Sequence, residues 1–142
     1  MSPIEIIYCS QHYELKKTGR DAMKGRLNGT ILTSVILMLV LAGLLIILTY
    51  FSPHNPIAAF FKNATKAFGY SKSSGKLIGL LCAVILCIIL WLTIGSKKNY
   101  LRMAEGWQQL PDETLQKTVK QSIYIFCISF AFFLATIFLL AI

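Results

Sequence analysis

Three runs of membrane-spanning length carry no charged side chain: Gly29–Phe51, Leu77–Gly95 and Ser122–Ile142. An apolar helix needs roughly 20 residues to cross a hydrocarbon core of about 30 Å, and each run is about that long. Between Ile31 and Leu48 the first run is dominated by Leu, Ile and Val. Each of these favours insertion by about 0.3–0.6 kcal/mol at mid-membrane depth. In a chain of 142 residues that is 56% hydrophobic, three spans leave no room for a separate soluble domain. The expectation is an all-α integral membrane protein with three transmembrane helices.

The segments outside the spans follow from this division. Residues 1–28 form an N-terminal arm, 52–76 an outer connection and 96–121 a second connection, around spans at 29–51, 77–95 and 122–142. The arm has neither the basic start nor the small-residue cleavage site of a secretory signal, so the first span is read as an uncleaved signal anchor. Within the arm, Ile4-Glu5-Ile6-Ile7-Tyr8 is ambiguous between strand and interfacial anchor. From Tyr13 onward the residues favour a basic amphipathic helix that lies on the membrane or extends the span, bending at Gly25–Gly29 if it bends.

Lys and Arg are unevenly spread. The arm and the second connection hold ten, the first connection four. The positive-inside rule then places the N-terminus in the cytoplasm and the C-terminus outside, as in a multi-pass protein of the bacterial inner membrane. The formal net charge of +8 is read as this topology signal rather than as a nucleic-acid surface. The same basic residues can touch anionic lipid at the inner leaflet.

The outer connection opens with Ser52-Pro53-His54-Asn55-Pro56, where proline ends the span and Asn55 suits a helix N-cap. Ile57, Phe60, Phe61, Ala64 and Phe68 share one face of the helix expected over residues 56–68, which would lie flat on the outer interface. In the second connection, Tyr100, Leu101, Ala104 and Trp107 recur at helical spacing, and Leu110-Pro111-Asp112-Glu113 reads as a turn and a new helix start. The expectation there is a short cytoplasmic helical hairpin with Trp107 near its tip, its ring either folded back over Leu101, Leu115 or the N-terminal helix or exposed as an anchor for a partner.

Within the membrane, Gly75, Gly79, Ala83 and Cys87 form a small-residue row on span 2, and Ala131 and Ala135 lie on span 3. Small residues let helices approach closely, so these rows are expected to pack together, leaving span 1 facing lipid or a partner.

Chemistry-bearing residues are sparse. Intramembrane acids, bases or histidines would mark an ion path or catalytic centre, and the three runs contain none. His12 and His54 fall on opposite sides of the membrane in this topology. Cys9, Cys82, Cys87 and Cys127 form no CxxC pair and suggest neither a disulfide framework nor a metal site. No phosphate-binding loop occurs. The expectation is therefore a non-catalytic accessory subunit of a larger membrane complex, without metal or cofactor, whose partners are other membrane proteins. Trp107, Phe60, Phe61 and Phe68 are its candidate contacts. A small homo-oligomeric pore of the holin type is the alternative.

Overall fold

The computed structural model describes residues 1–52, 54–57, 59, 60, 63 and 72–141. Its long elements are all helical: α1 (Pro3–Lys17), α2 (Lys24–Phe51), α3 (Lys72–Leu92), α4 (Lys97–Gln108) and α5 (Asp112–Ala141). No strand occurs among the described residues. Among the described residues two helices are long and apolar enough to cross a membrane, Lys24–Leu48 and Asp112–Leu139. A third candidate is the pair Leu77–Leu92 and Lys97–Gln108, bent by 66° at its break.

The first helix begins at Pro3 rather than near Tyr13, and its start is well capped. Ser2 Oγ accepts from Glu5 N–H at 3.2 Å while Ser2 N–H donates to the Glu5 carboxylate at 2.7 Å. This reciprocal pair satisfies two amide donors that a helix start leaves free, and Pro3 at the first position needs no partner for its nitrogen. At the other end, Arg20 N–H reaches Leu15 O at 2.9 Å and Gly19 N–H reaches Lys16 O at 3.1 Å. Gly19 adopts φ +68° to close this Schellman turn. The chain therefore reverses at residues 18–23, not at Gly25–Gly29, and α1 packs back against α2 as a helical hairpin.

Gly25 and Gly29 instead let α1 approach α2 closely. A Cβ at Gly29 would stand 2.7 Å from the Tyr8 ring, and one at Gly25 would stand 2.6 Å from the Tyr100 hydroxyl and 3.1 Å from the His12 backbone. α1 also packs on the start of α5, where Tyr13 Oη donates to Asp112 at 2.8 Å.

Helix α2 is the central element, packed against α1, α3 and α5. Its contact with α3 includes a hydrogen bond from Cys87 Sγ to Ser34 Oγ at 3.0 Å. At the same end, the Arg26 guanidinium lies 3.7 Å from the Trp91 ring centroid, a cation–π contact. On the α5 side, Gly43 receives Phe132 so closely that a Cβ would come within 2.6 Å of the ring. This corrects the packing expected from the small-residue rows, in which spans 2 and 3 met and span 1 faced lipid. Among the described residues α2 instead packs on both α3 and α5, with Ser34 and Gly43 supplying close contacts.

The distribution of polarity is that of a chain surrounded by hydrocarbon. Thr30, Thr33, Ser34, Ser122, Ser129 and Thr136 are buried between helices, whereas Leu41, Leu80, Ile88, Ile128 and Phe138 are exposed. Small hydroxyl residues at helix contacts, with large aliphatics outside, are what association without a hydrophobic drive selects. Most buried hydroxyls return their proton to their own helix. Ser34 Oγ donates to Thr30 O and Ser129 Oγ to Ile125 O, each at 2.8 Å.

Candidate functional site

The main concentration of buried polar and aromatic side chains lies at the junction of α1 and α4. Helix α4 is amphipathic: Tyr100, Ala104 and Trp107 are buried, while Lys97, Lys98, Arg102 and Glu105 face outward. Ser96 caps it, accepting from Asn99 N–H at 3.4 Å, and Asn99 Nδ2 returns to Thr93 O at 2.8 Å. These contacts fix the bend that turns α4 away from α3 and onto α1. Trp107 is only 6% exposed. Of the two readings of Trp107, the exposed anchor is corrected and the ring folded back on the N-terminal helix is what is found: α4 lies against α1, and the indole is enclosed.

Tyr8, Cys9 and His12 on α1 meet Tyr100, Ala104 and Trp107 on α4. Ring centroids are 6.3 Å apart for Tyr8 and Tyr100, 5.7 Å for His12 and Trp107, and 5.9 Å for Tyr100 and Trp107. All three pairs are tilted or edge-on, the arrangement that ring quadrupoles favour.

The hydrogen bonds assign donors and acceptors. Tyr100 Oη donates its only proton to Ala22 O at 2.9 Å. The 2.9 Å contact between Tyr100 Oη and His12 Nδ1 must therefore be donated by the imidazole, which fixes the neutral Nδ1–H tautomer. Likewise, Thr30 Oγ1 donates to Arg26 O at 2.8 Å, so Tyr8 Oη donates to Thr30 Oγ1 at 2.7 Å. One phenol thus ties α1 to α2, and the other ties α4 to α1 and to the 18–23 turn.

Burial holds every group of the cluster neutral. It raises the pKa of Tyr100 and of Tyr8 above the usual phenol value. It raises the Cys9 thiol as well, against a smaller opposing effect of the Thr118 hydroxyl. His12 is lowered below 6.5, first by burial and then by the Lys16 ammonium one turn away. A protonated, enclosed thiol is a poor nucleophile. Among the described residues, no group of three or more His, Cys, Asp or Glu side chains is gathered where a metal could bind. The arrangement joins α1 to α2, α4 and the 18–23 turn.

The other singled-out residues are dispersed. Among the described residues a Cβ on Gly79 would meet nothing within 4 Å, and Ala131 and Ala135 are exposed. Gly75 lies in α3, and Ala83 is half-buried. Asn55 does act as an N-cap, with Oδ1 accepting from Ile57 N–H at 2.9 Å. Residues 56, 57, 59, 60 and 63 are helical and Phe60 is exposed, while Phe61 and Phe68 lie outside the described residues. A crevice of about 230 Å³ between α1, α2 and α5 has a polar wall of Ser10, Gln11 and Glu14 facing apolar Val119, Ile123 and Phe126.

No protein-family model matches the chain, and neither a curated protein nor a solved structure matches it.

Proposed function

We propose that this chain is a three-span, non-catalytic membrane protein that serves as an accessory subunit of a larger membrane complex. The observation that carries the reading is the position of α3. This helix packs principally on α2, and its four-residue row of small side chains reaches Gly79, where a Cβ would touch nothing. Close-approach faces associate spans through van der Waals contact, and the Gly79 end of this row, open among the described residues while its Cys87 end meets Ser34 of α2, fits a second transmembrane protein. α3 then counts as the second span, with α1 and α4 together on the cytoplasmic face where ten of the fourteen Lys and Arg lie. Basic residues there sit against anionic lipid, at about 1 kcal/mol each near the surface.

Purification of a tagged copy in mild detergent, with mass spectrometry of what co-purifies, tests the proposal. Stoichiometric partners that are lost on Gly79→Leu support it. A pure homo-oligomer overturns it in favour of a pore assembled from copies of this chain.

A further inference from the structure

We propose that His12 makes the α1–α4 junction a proton-sensitive latch, closed while its imidazole is neutral and loosened when Nε2 takes a proton. The argument is geometric. Nδ1–H is already committed to Tyr100 Oη, so a second proton can go only to Nε2. That atom is buried and has no hydrogen-bond partner among the described residues. Beside the ring is a cavity of about 20 Å³, bounded by Cys9, Tyr13, Lys16, Trp107, Gln108 and Leu115. The charge in this wall is the Lys16 ammonium, of the same sign as an imidazolium.

Among the described residues, the neighbouring elements offer no free counter-charge at the ring. On α5, the Asp112 carboxylate is engaged by Tyr13 Oη at 2.8 Å and Gln116 Nε2 at 2.9 Å. On the turn and the start of α2, Asp21 and Arg26 act on Tyr100 with opposite signs, and Asp21 Oδ1 accepts from Met23 N–H at 2.9 Å. On α4, the groups facing the ring are the neutral Tyr100 phenol and the Gln108 amide.

An imidazolium here is a desolvated cation facing another cation, and turning outward relieves both penalties. Turning out breaks the bond to Tyr100 and uncovers Trp107, so α4 loses its seat on α1. The lowered pKa of His12 has the matching sign. The open state has the ordinary pKa of about 6.5 and binds the proton more tightly. Latch stability is therefore constant above about pH 7 and declines as pH falls through 6.5 towards the closed-state value. One proton can change the open-to-closed ratio by at most about tenfold per pH unit.

Two spectra test this on the full chain in detergent. In a Trp91→Phe background, Trp107 fluorescence reports the latch, and the emission maximum should move to the red as pH falls from 7.5 to 5. His12→Gln retains a donor for Tyr100 and should abolish the shift, while His54→Gln should leave it in place. In ¹⁵N-histidine-labelled wild-type protein, His12 should show the Nδ1–H tautomer at pH 7.5 and titrate below 6.5. A pH-independent emission maximum, a shift that survives His12→Gln, or an Nε2–H tautomer each overturns the latch. Should either variant fail to fold, the wild-type titration decides: a midpoint above 6.5 overturns the proposal and one below it supports it.

Discussion

Glycine carries opposite meanings at two positions of this chain. Gly29 is filled by its neighbour: an added methyl must displace the Tyr8 ring near its root, where it cannot swing aside. Overpacking of that kind costs about 1–3 kcal/mol. Gly29→Ala should therefore lower the thermal midpoint of the purified protein, whereas Gly79→Ala, with open space around it, should leave the midpoint within error. Equal losses would show that Tyr8 does not rest on Gly29. Trp107 is likewise an internal group. Trp107→Ala removes a buried indole and should destabilise the isolated protein by about 3–5 kcal/mol, read in the same unfolding assay. Unchanged stability would mean that the ring is not enclosed.

At the scale of elements, legibility depended on whether the deciding interaction was local. The periodicity of Tyr100, Ala104 and Trp107 announced α4, and Pro111-Asp112-Glu113 announced the start of α5. The N-cap at Asn55 was also readable from its own neighbours. Helix α1 was harder, because Ile4, Ile6 and Ile7 suit a strand as well as a helix. Ser2-Pro3-Ile4-Glu5 does spell a capping box, but the groove offered by α2 and α5 is what makes the helix worth forming. Tyr8, His12 and Tyr100 come from distant stretches, so the junction was legible only in the alternative that folds the Trp107 ring back on the N-terminal helix; Gly25–Gly29 read as a bend rather than as a close approach. The turn joining α1 to α2 gives a separate test. Gly19 meets nothing within 4 Å but holds φ +68°, so Gly19→Ala should cost about 1–2 kcal/mol through backbone strain alone. Gly19→Asn should cost less, since asparagine tolerates that conformation better. Chemical denaturation compares the three proteins, and a neutral alanine variant would place the strain elsewhere.

At the scale of the whole molecule, the apolar runs announced helices fit to cross a membrane, whereas the small-residue rows pointed to the wrong neighbours. Hydrocarbon gives no preference among Leu-rich faces, so the arrangement rests on where hydroxyls and glycines fall. These put α2 in the middle, with α3 on one side and α5 with α1 on the other. Sidedness is a separate matter that rests on charge. Single cysteines at Gln109 and Ser73 should label from the cytoplasmic and outer faces respectively, and the reverse pattern would invert the topology. The helix order itself can be read by oxidative cross-linking in membranes. Ser34→Cys would face native Cys87, whose sulfur lies 3.0 Å from the Ser34 hydroxyl. In a chain with its remaining cysteines replaced by serine, this pair should form an intramolecular disulfide rapidly. The pair Gly79→Cys with Ala135→Cys, which would join α3 directly to α5, should not. A fast bridge between residues 79 and 135, with none between 34 and 87, would contradict a central α2.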